Sequence, residues 1–209
     1  MTSSTATTTQ ALDGASIDGS LYGDVTDFAE HTHWLNGTVL AYTTYGVALF
    51  AVFMLVGWWI ARRKDASVMA AALAVPFAVV IAYLANSGIK TVFTEPRPCR
   101  ALPHDFLIEK CPPIDDYAFP SNHTTVAAAA AAALFLINWR LGAIASLAAL
   151  LMAASRVYVG AHYPHDVLAA LVVGAVVALA VTWAARRFAT PLVVRMRGGA
   201  LAPLLTATA

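Results

Sequence analysis

Long apolar runs alternate with short polar and basic segments along this chain of 209 residues. Five runs approach the ~20 residues needed to cross ~30 Å of hydrocarbon. They cover about Thr38–Ile60, Ala66–Ile89, Ser121–Asn138, Leu141–Val157 and Pro164–Ala185. Ahead of them, 21–36 (LYGDVTDFAEHTHWLN) spaces Leu21, Val25, Phe28 and Leu35 among Asp24, Asp27 and Glu30. That spacing predicts an amphipathic helix lying at the membrane interface, with Trp34 as an anchor and His31 and His33 as interfacial polar residues. The pattern therefore predicts an all-α polytopic membrane bundle of about five spans plus an interfacial N-terminal helix. Residues 1–20, rich in Thr, Ser and Ala, read as a disordered tail. The membrane domain is 21–187, and 188–209 read as a cytoplasmic tail, since no run there is long enough to cross.

Composition agrees. Apolar residues make up 59% and charged residues 12%, about half the charged share of a soluble domain. The net charge of +1 gives no ground for nucleic-acid binding. If the runs alternate across the bilayer, Arg62, Arg63, Lys64, Arg140, Arg186, Arg187, Arg195 and Arg197 share one side. These are eight of the thirteen basic residues, and the positive-inside rule makes that side cytoplasmic. The polar loop 91–118 and the stretch 156–166 then lie outside, in a bacterial plasma membrane. Cys99 and Cys111 share that loop on the oxidising side, where a disulfide suits them. Alanines at 127–133 predict a packing surface that lets helices approach closely.

The ionisable residues that remain gather at the outer face. Lys90 ends the second run, Arg97 follows it, and Pro120-Ser121-Asn122-His123 opens the third. Arg156 closes the fourth, and His162 with Asp166 opens the fifth. Several cations beside a helix start suit a phosphoryl group. A histidine with a carboxylate four residues on suits an oriented nucleophile, and His123 suits a proton donor. His165 falls between motif residues and reads as a head-group neighbour, not a catalytic group. Glu95 reads as an arginine partner.

Lys90-x6-Arg97-Pro98, Pro120-Ser121-Asn122-His123 and Ser155-Arg156-x5-His162-x3-Asp166 together resemble the three-part signature of the type-2 phosphatidic acid phosphatase family. The family most often has Gly where this chain has Asn122, whose amide adds a donor. The resemblance implies that Lys90, Arg97, Ser121, Asn122 and Arg156 bind phosphate. It implies that His162 forms a phosphohistidine, that Asp166 orients it, and that His123 protonates the leaving group. It implies no metal and no cofactor, and a membrane lipid as substrate. The short form with HTHWLN ahead of AYTTYGVALF is similar to bacterial undecaprenyl-pyrophosphate phosphatases, which return a carrier lipid for cell-wall synthesis. Phosphatidylglycerol phosphate, phosphatidic acid and a prenyl-phosphoryl sugar phosphate are alternative substrates. A head-group transporter using the same cations is the non-enzyme alternative, but transport needs neither a nucleophile nor an acid.

Overall fold

The computed structural model describes residues 11–102 and 105–207. Ten helices follow one another, with no strand among the described residues. They are α1 (Gly14–His31), α2 (His33–Tyr45), α3 (Val47–Ala61), α4 (Ala66–Phe93), α5 (Pro98–Ala101), α6 (Asn122–Phe135), α7 (Trp139–Tyr158), α8 (Pro164–Phe188), α9 (Thr190–Arg197) and α10 (Ala202–Leu205).

Three helices, α4, α7 and α8, are each long and apolar enough to cross a membrane. A fourth crossing requires α2 and α3 together, which bend by 53° at Gly46, inside the first expected run. The third expected span is shorter still. Helix α6 has 14 residues, about 21 Å at 1.5 Å per residue, and so falls short of the hydrocarbon thickness. It needs little lipid contact, because most of its residues are buried among α3, α4, α7 and α8.

Small residues permit that burial. Ala127–Ala131 and Ala133 are buried. A Cβ at Gly174 of α8 would lie 2.5 Å from the Thr125 carbonyl oxygen and 3.0 Å from the Ala128 Cβ, so α6 and α8 meet almost backbone to backbone. The large apolar side chains point outward instead. Leu55, Phe77, Leu84, Leu147, Leu168 and Val172 are exposed around the bundle, as a lipid-facing surface requires.

Helix α1 begins at Gly14, capped by the Asp13 carboxylate. The tail expected over 1–20 is thus helical from 14 onward, and 1–10 lie outside the described residues. The expected interfacial helix is also split. Backbone at Thr32 leaves the helical region and separates α1 from α2, which carries Trp34 at 81% exposure. Beyond α8, the tail is ordered: α9 packs on α4 and α8, and Val193 and Leu205 are buried. There the basic residues tie the bundle end together. Lys64 donates to the Ile137 carbonyl (2.9 Å), Arg186 to Leu136 (3.2 Å), Arg62 to Pro203 (2.9 Å) and Arg197 to Lys64 (2.9 Å).

Gly174→Ala should destabilise the protein by about 1–3 kcal/mol through overpacking. Gly88→Ala, with nothing within 4 Å of its added Cβ, should be neutral or slightly stabilising. Thermal unfolding in detergent checks both, and equal melting temperatures would contradict the close α6–α8 contact.

Candidate active site

All three motifs meet at the end of the bundle opposite the basic cluster. Lys90 lies in the last turn of α4 and Arg156 in the last turn of α7, where the helix dipole favours cations. Arg97 sits just before α5, and Asn122 and His123 open α6. His162 occupies the turn between α7 and α8. That turn depends on Gly160 at φ +81, a left-handed geometry open to glycine. A side chain there would also strike Leu107 at 2.7 Å.

Lys90, Arg97, Asn122, His123, Arg156 and His162 line one cavity of about 110 Å³. At roughly 30 Å³ per water molecule, this is the scale of a single phosphoryl group. Ser121 does not share the wall. It is fully buried and its hydroxyl accepts from Thr124 (3.2 Å). The Asn122 side-chain carbonyl accepts from Asn86 (2.7 Å), and Asn86 in turn accepts from Thr125 (2.8 Å). The carbonyl side of the amide is thereby engaged, which leaves its NH₂ as the donor for the cavity.

The hydrogen bonds assign the state of His162. Its Nε2 lies 2.9 Å from Arg97 Nη1, and its Nδ1 lies 3.2 Å from Asp166 Oδ2. A guanidinium only donates and a carboxylate only accepts. The ring is therefore neutral, with its proton on Nδ1 and its lone pair on Nε2. Burial and then the cations Arg97, Arg156 and Lys90 push the His162 pKa well below 6.5, which favours the same neutral form. Asp166 is fully buried and its Oδ2 also accepts from the Tyr163 backbone N–H (2.9 Å). The carboxylate is thus fixed behind the imidazole, away from the cavity.

Two acids that sequence reasoning passed over share the cavity. Asp116 Oδ1 lies 2.8 Å from Arg97 Nη2 and 3.1 Å from Lys90 Nζ. Glu109 meets Arg156 through two bonds, at 2.6 and 3.1 Å. Burial pushes the Asp116 carboxyl up, but Arg97 and Lys90 outweigh it and hold it below 3.8. Both acids sit on the segment joining α4 to α6. That segment is closed by the Cys99–Cys111 disulfide, whose Cα atoms are 6.0 Å apart. It is anchored on the His162 turn, where the backbone N–H groups of Ile108 and Glu109 donate to the Val159 carbonyl (3.2 and 3.1 Å). Their place in a polar loop gave no periodicity or motif by which to find them.

Glu95 does not pair with an arginine, and His165 does not face the cavity. They bond each other behind Asp166, with 3.0 Å between His165 Nε2 and Glu95 Oε1. Glu95, His165 and Asp166 each offer a potential metal-ligand atom, all within 4.8 Å of one another. The His165 ring nitrogen among them is already engaged with Glu95.

The PAP2 superfamily model matches residues 71–189, which contain every motif residue. The chain is 33% identical over 150 residues to the undecaprenyl-diphosphatase BcrC of Bacillus subtilis, covering 71% of this chain and 74% of that protein. It is 36% identical over 99 residues to an undecaprenyl-diphosphatase of Sulfolobus acidocaldarius, covering 46% of each. In fold it is similar to a transmembrane PAP2-type phosphatidylglycerolphosphate phosphatase of Bacillus subtilis. The TM-score is 0.59 at 21% identity, over 81% of this chain and 87% of that one. Motifs, cavity and matches agree: the chain belongs to the PAP2 superfamily and is a lipid phosphatase.

Proposed function

We propose that the protein hydrolyses a polyprenyl pyrophosphate to the monophosphate and inorganic phosphate, through a phosphohistidine on His162. The observation that carries this reading is the neutral His162, with its Nε2 lone pair turned into a cationic cavity and its Nδ1 held by a buried carboxylate. In the first step Arg97 turns from Nε2 to a phosphate oxygen, and the freed Nε2 lone pair attacks the terminal phosphorus. The bond from phosphorus to the bridging oxygen breaks, and His123 gives that oxygen a proton. Positive charge develops on the imidazole, and Asp166 stabilises it. In the second step His123 takes a proton from water, the oxygen attacks phosphorus, and the P–N bond breaks to release phosphate. Lys90, Arg97 and Arg156 hold the non-bridging oxygens throughout, with the Asn122 amide as a further donor.

Two observations support a lipid substrate of this kind. An apolar groove of about 420 Å³, lined by Val25, Phe28, Val39, Tyr42, Leu151 and Tyr158 among others, runs beside the site. Its wall includes Ser155, next to Arg156. Tyr42 adjoins Thr43, whose hydroxyl accepts from Arg156 (2.9 Å). A hydrocarbon tail in this groove would lie next to the helix segments that carry Thr43 and Arg156. The named activity of the two undecaprenyl-diphosphatases above supports pyrophosphate as the head group. The eight basic residues at the opposite end favour a site on the extracytoplasmic face and a cytoplasmic C-terminus. In this reading no metal takes part, because fixed cations do the charge neutralisation.

Substrate oxygens must displace Asp116 and Glu109 from the cations they now occupy. Charge-assisted hydrogen bonds of this type are each worth about 1.5–3 kcal/mol, so the two acids compete directly with phosphate.

His162→Ala should abolish phosphate release from undecaprenyl pyrophosphate by purified protein, and a chelator should leave the wild type unchanged. A preference for phosphatidylglycerol phosphate or phosphatidic acid in the same panel would overturn the substrate assignment. Glu109→Gln should tighten inhibition by orthovanadate, a phosphate mimic, by about tenfold; unchanged inhibition would mean that Glu109 does not compete. A histidine with a lowered pKa is lost as a nucleophile only when pH falls below that lowered value. The acid limb of kcat/KM set by His162 should therefore lie below pH 6.5, where a pH titration of the free enzyme reads it.

A further inference from the structure

Behind the His162–Asp166 pair lies a second, largely internal set of charges that the phosphoryl chemistry does not touch. Asp166 uses Oδ2 for both His162 and the Tyr163 N–H. Its Oδ1 has no hydrogen-bond partner among the described residues, and neither has Glu95 Oε2. Both carboxyl groups are completely buried. His165 stands against them: its Nε2 is 3.0 Å from Glu95 Oε1 and 3.5 Å from Asp166 Oδ1. Its Nδ1 lies 2.8 Å from Asp18 Oδ1, and its backbone N–H donates to Asp18 Oδ2 (2.7 Å). The ring is sandwiched between Phe119 and Tyr163, with centroids 5.8 and 5.6 Å away.

Both ring nitrogens of His165 face carboxylate oxygens, which only accept. The ring therefore carries both protons and a positive charge. That one cation faces Asp18 and Glu95 directly and stands 3.5 Å from Asp166 Oδ1. Its attraction for Oδ1 holds the Asp166 carboxyl group in place, so that Oδ2 stays directed at His162.

Asp18 comes from α1, at a residue where the helix leaves helical geometry (φ −146, ψ 28). Gly14 of the same helix lies against Glu95 Oε1 and the Tyr163 ring, where a Cβ would collide with both. Tyr22 donates to the Gly160 carbonyl (3.0 Å). Helix α1 thus closes the back of the site at three points.

We propose that His165 and Glu95 are positioning residues that fix Asp166 and, through it, the His162 nucleophile, and that Asp18 makes the N-terminal helix part of this support. The proposal rests on His162 as the nucleophile. Removing the partner that orients a metal-ligating histidine costs about 10- to 100-fold in activity, and the lower end, about 10-fold, is expected here, where the support acts through Asp166. His165→Ala should accordingly lower kcat by that factor with KM unchanged, because no substrate contact is lost. Glu95→Gln, whose amide can accept from His165 and donate to Asp166 Oδ1, should lose less than Glu95→Ala.

The deciding measurement is a double-mutant cycle on the best lipid phosphate substrate, with thermal unfolding in detergent as the check on folding. On an Asp166→Ala background, His165→Ala should cost nothing further, since its effect passes through Asp166. A merely structural role would multiply the two losses, and that result overturns the proposal. Should His165→Ala unfold, Asp18→Asn carries the same cycle without creating a cavity, with a loss of about threefold expected. His162→Ala separates the two readings. If it retains turnover, the nucleophile assignment fails. If it is inactive while the His165 and Asp18 variants match wild type, only the positioning proposal fails.

Discussion

Three cations, Lys90, Arg97 and Arg156, are held at 7%, 5% and 3% exposure at one end of a membrane bundle, and the architecture of that end follows from their charge. Buried charges are tolerated only when paired and hydrogen-bonded. Here the pairing comes from Asp116 and Glu109 on a single loop, and from carbonyls at Tyr117, Asp116 and Ala161. The same loop must therefore dock on the His162 turn, and it does so through Val159. The cations that the proposed mechanism assigns to phosphate oxygens are bonded to carboxylate oxygens. In that reading, affinity for a phosphoryl group is the difference between two sets of charge-assisted bonds.

The bundle can assemble this cluster because its centre is almost without bulk. Helix α6 is short and rich in alanine, and Gly174 and Gly142 bring α8 and α7 against its backbone or its end. Close approach puts the starts of α6 and α8 beside the ends of α4 and α7. Two partly positive helix N-termini then face the cavity region together with the cations of two C-termini. Had α6 carried larger side chains, the four ends would stand farther apart, and no single phosphoryl group could reach His123, His162 and three cations at once. Helix α1 covers the other side of the same region, so the His162–Asp166 pair is supported on both flanks.

Much was legible in the chain itself. Apolar runs separated by basic clusters set the helical membrane class, because hydrocarbon demands satisfied backbone and cytoplasmic loops attract Lys and Arg. The motifs singled out Lys90, Arg97, Asn122, His123, Arg156, His162 and Asp166, and the fold brings the first six to one cavity wall with Asp166 behind His162. The two cysteines of one loop do pair. What runs of hydropathy could not show was length at depth. Helix α6 reads as a full-length span by composition, yet it runs from the site end to the basic end as a short helix, because its neighbours and not lipid surround it. The bend at Gly46 was hidden for a related reason, as hydropathy carries no direction.

The roles of Ser121, Glu95, His165, Asp116 and Glu109 depend on where side chains meet, and spacing along the chain says nothing of that. Ser121 lies one residue from the cavity wall but turns into the core. Glu95 stands two residues from an arginine yet bonds a histidine seventy positions away. By itself the sequence determined the helical membrane class, which follows from hydropathy and periodicity, and its three motifs resembled those of the family to which the chain belongs. Only the tertiary structure decided which acids balance the buried cations and which charges stand behind Asp166, because electrostatic pairing in a low-dielectric interior is settled by distance in space.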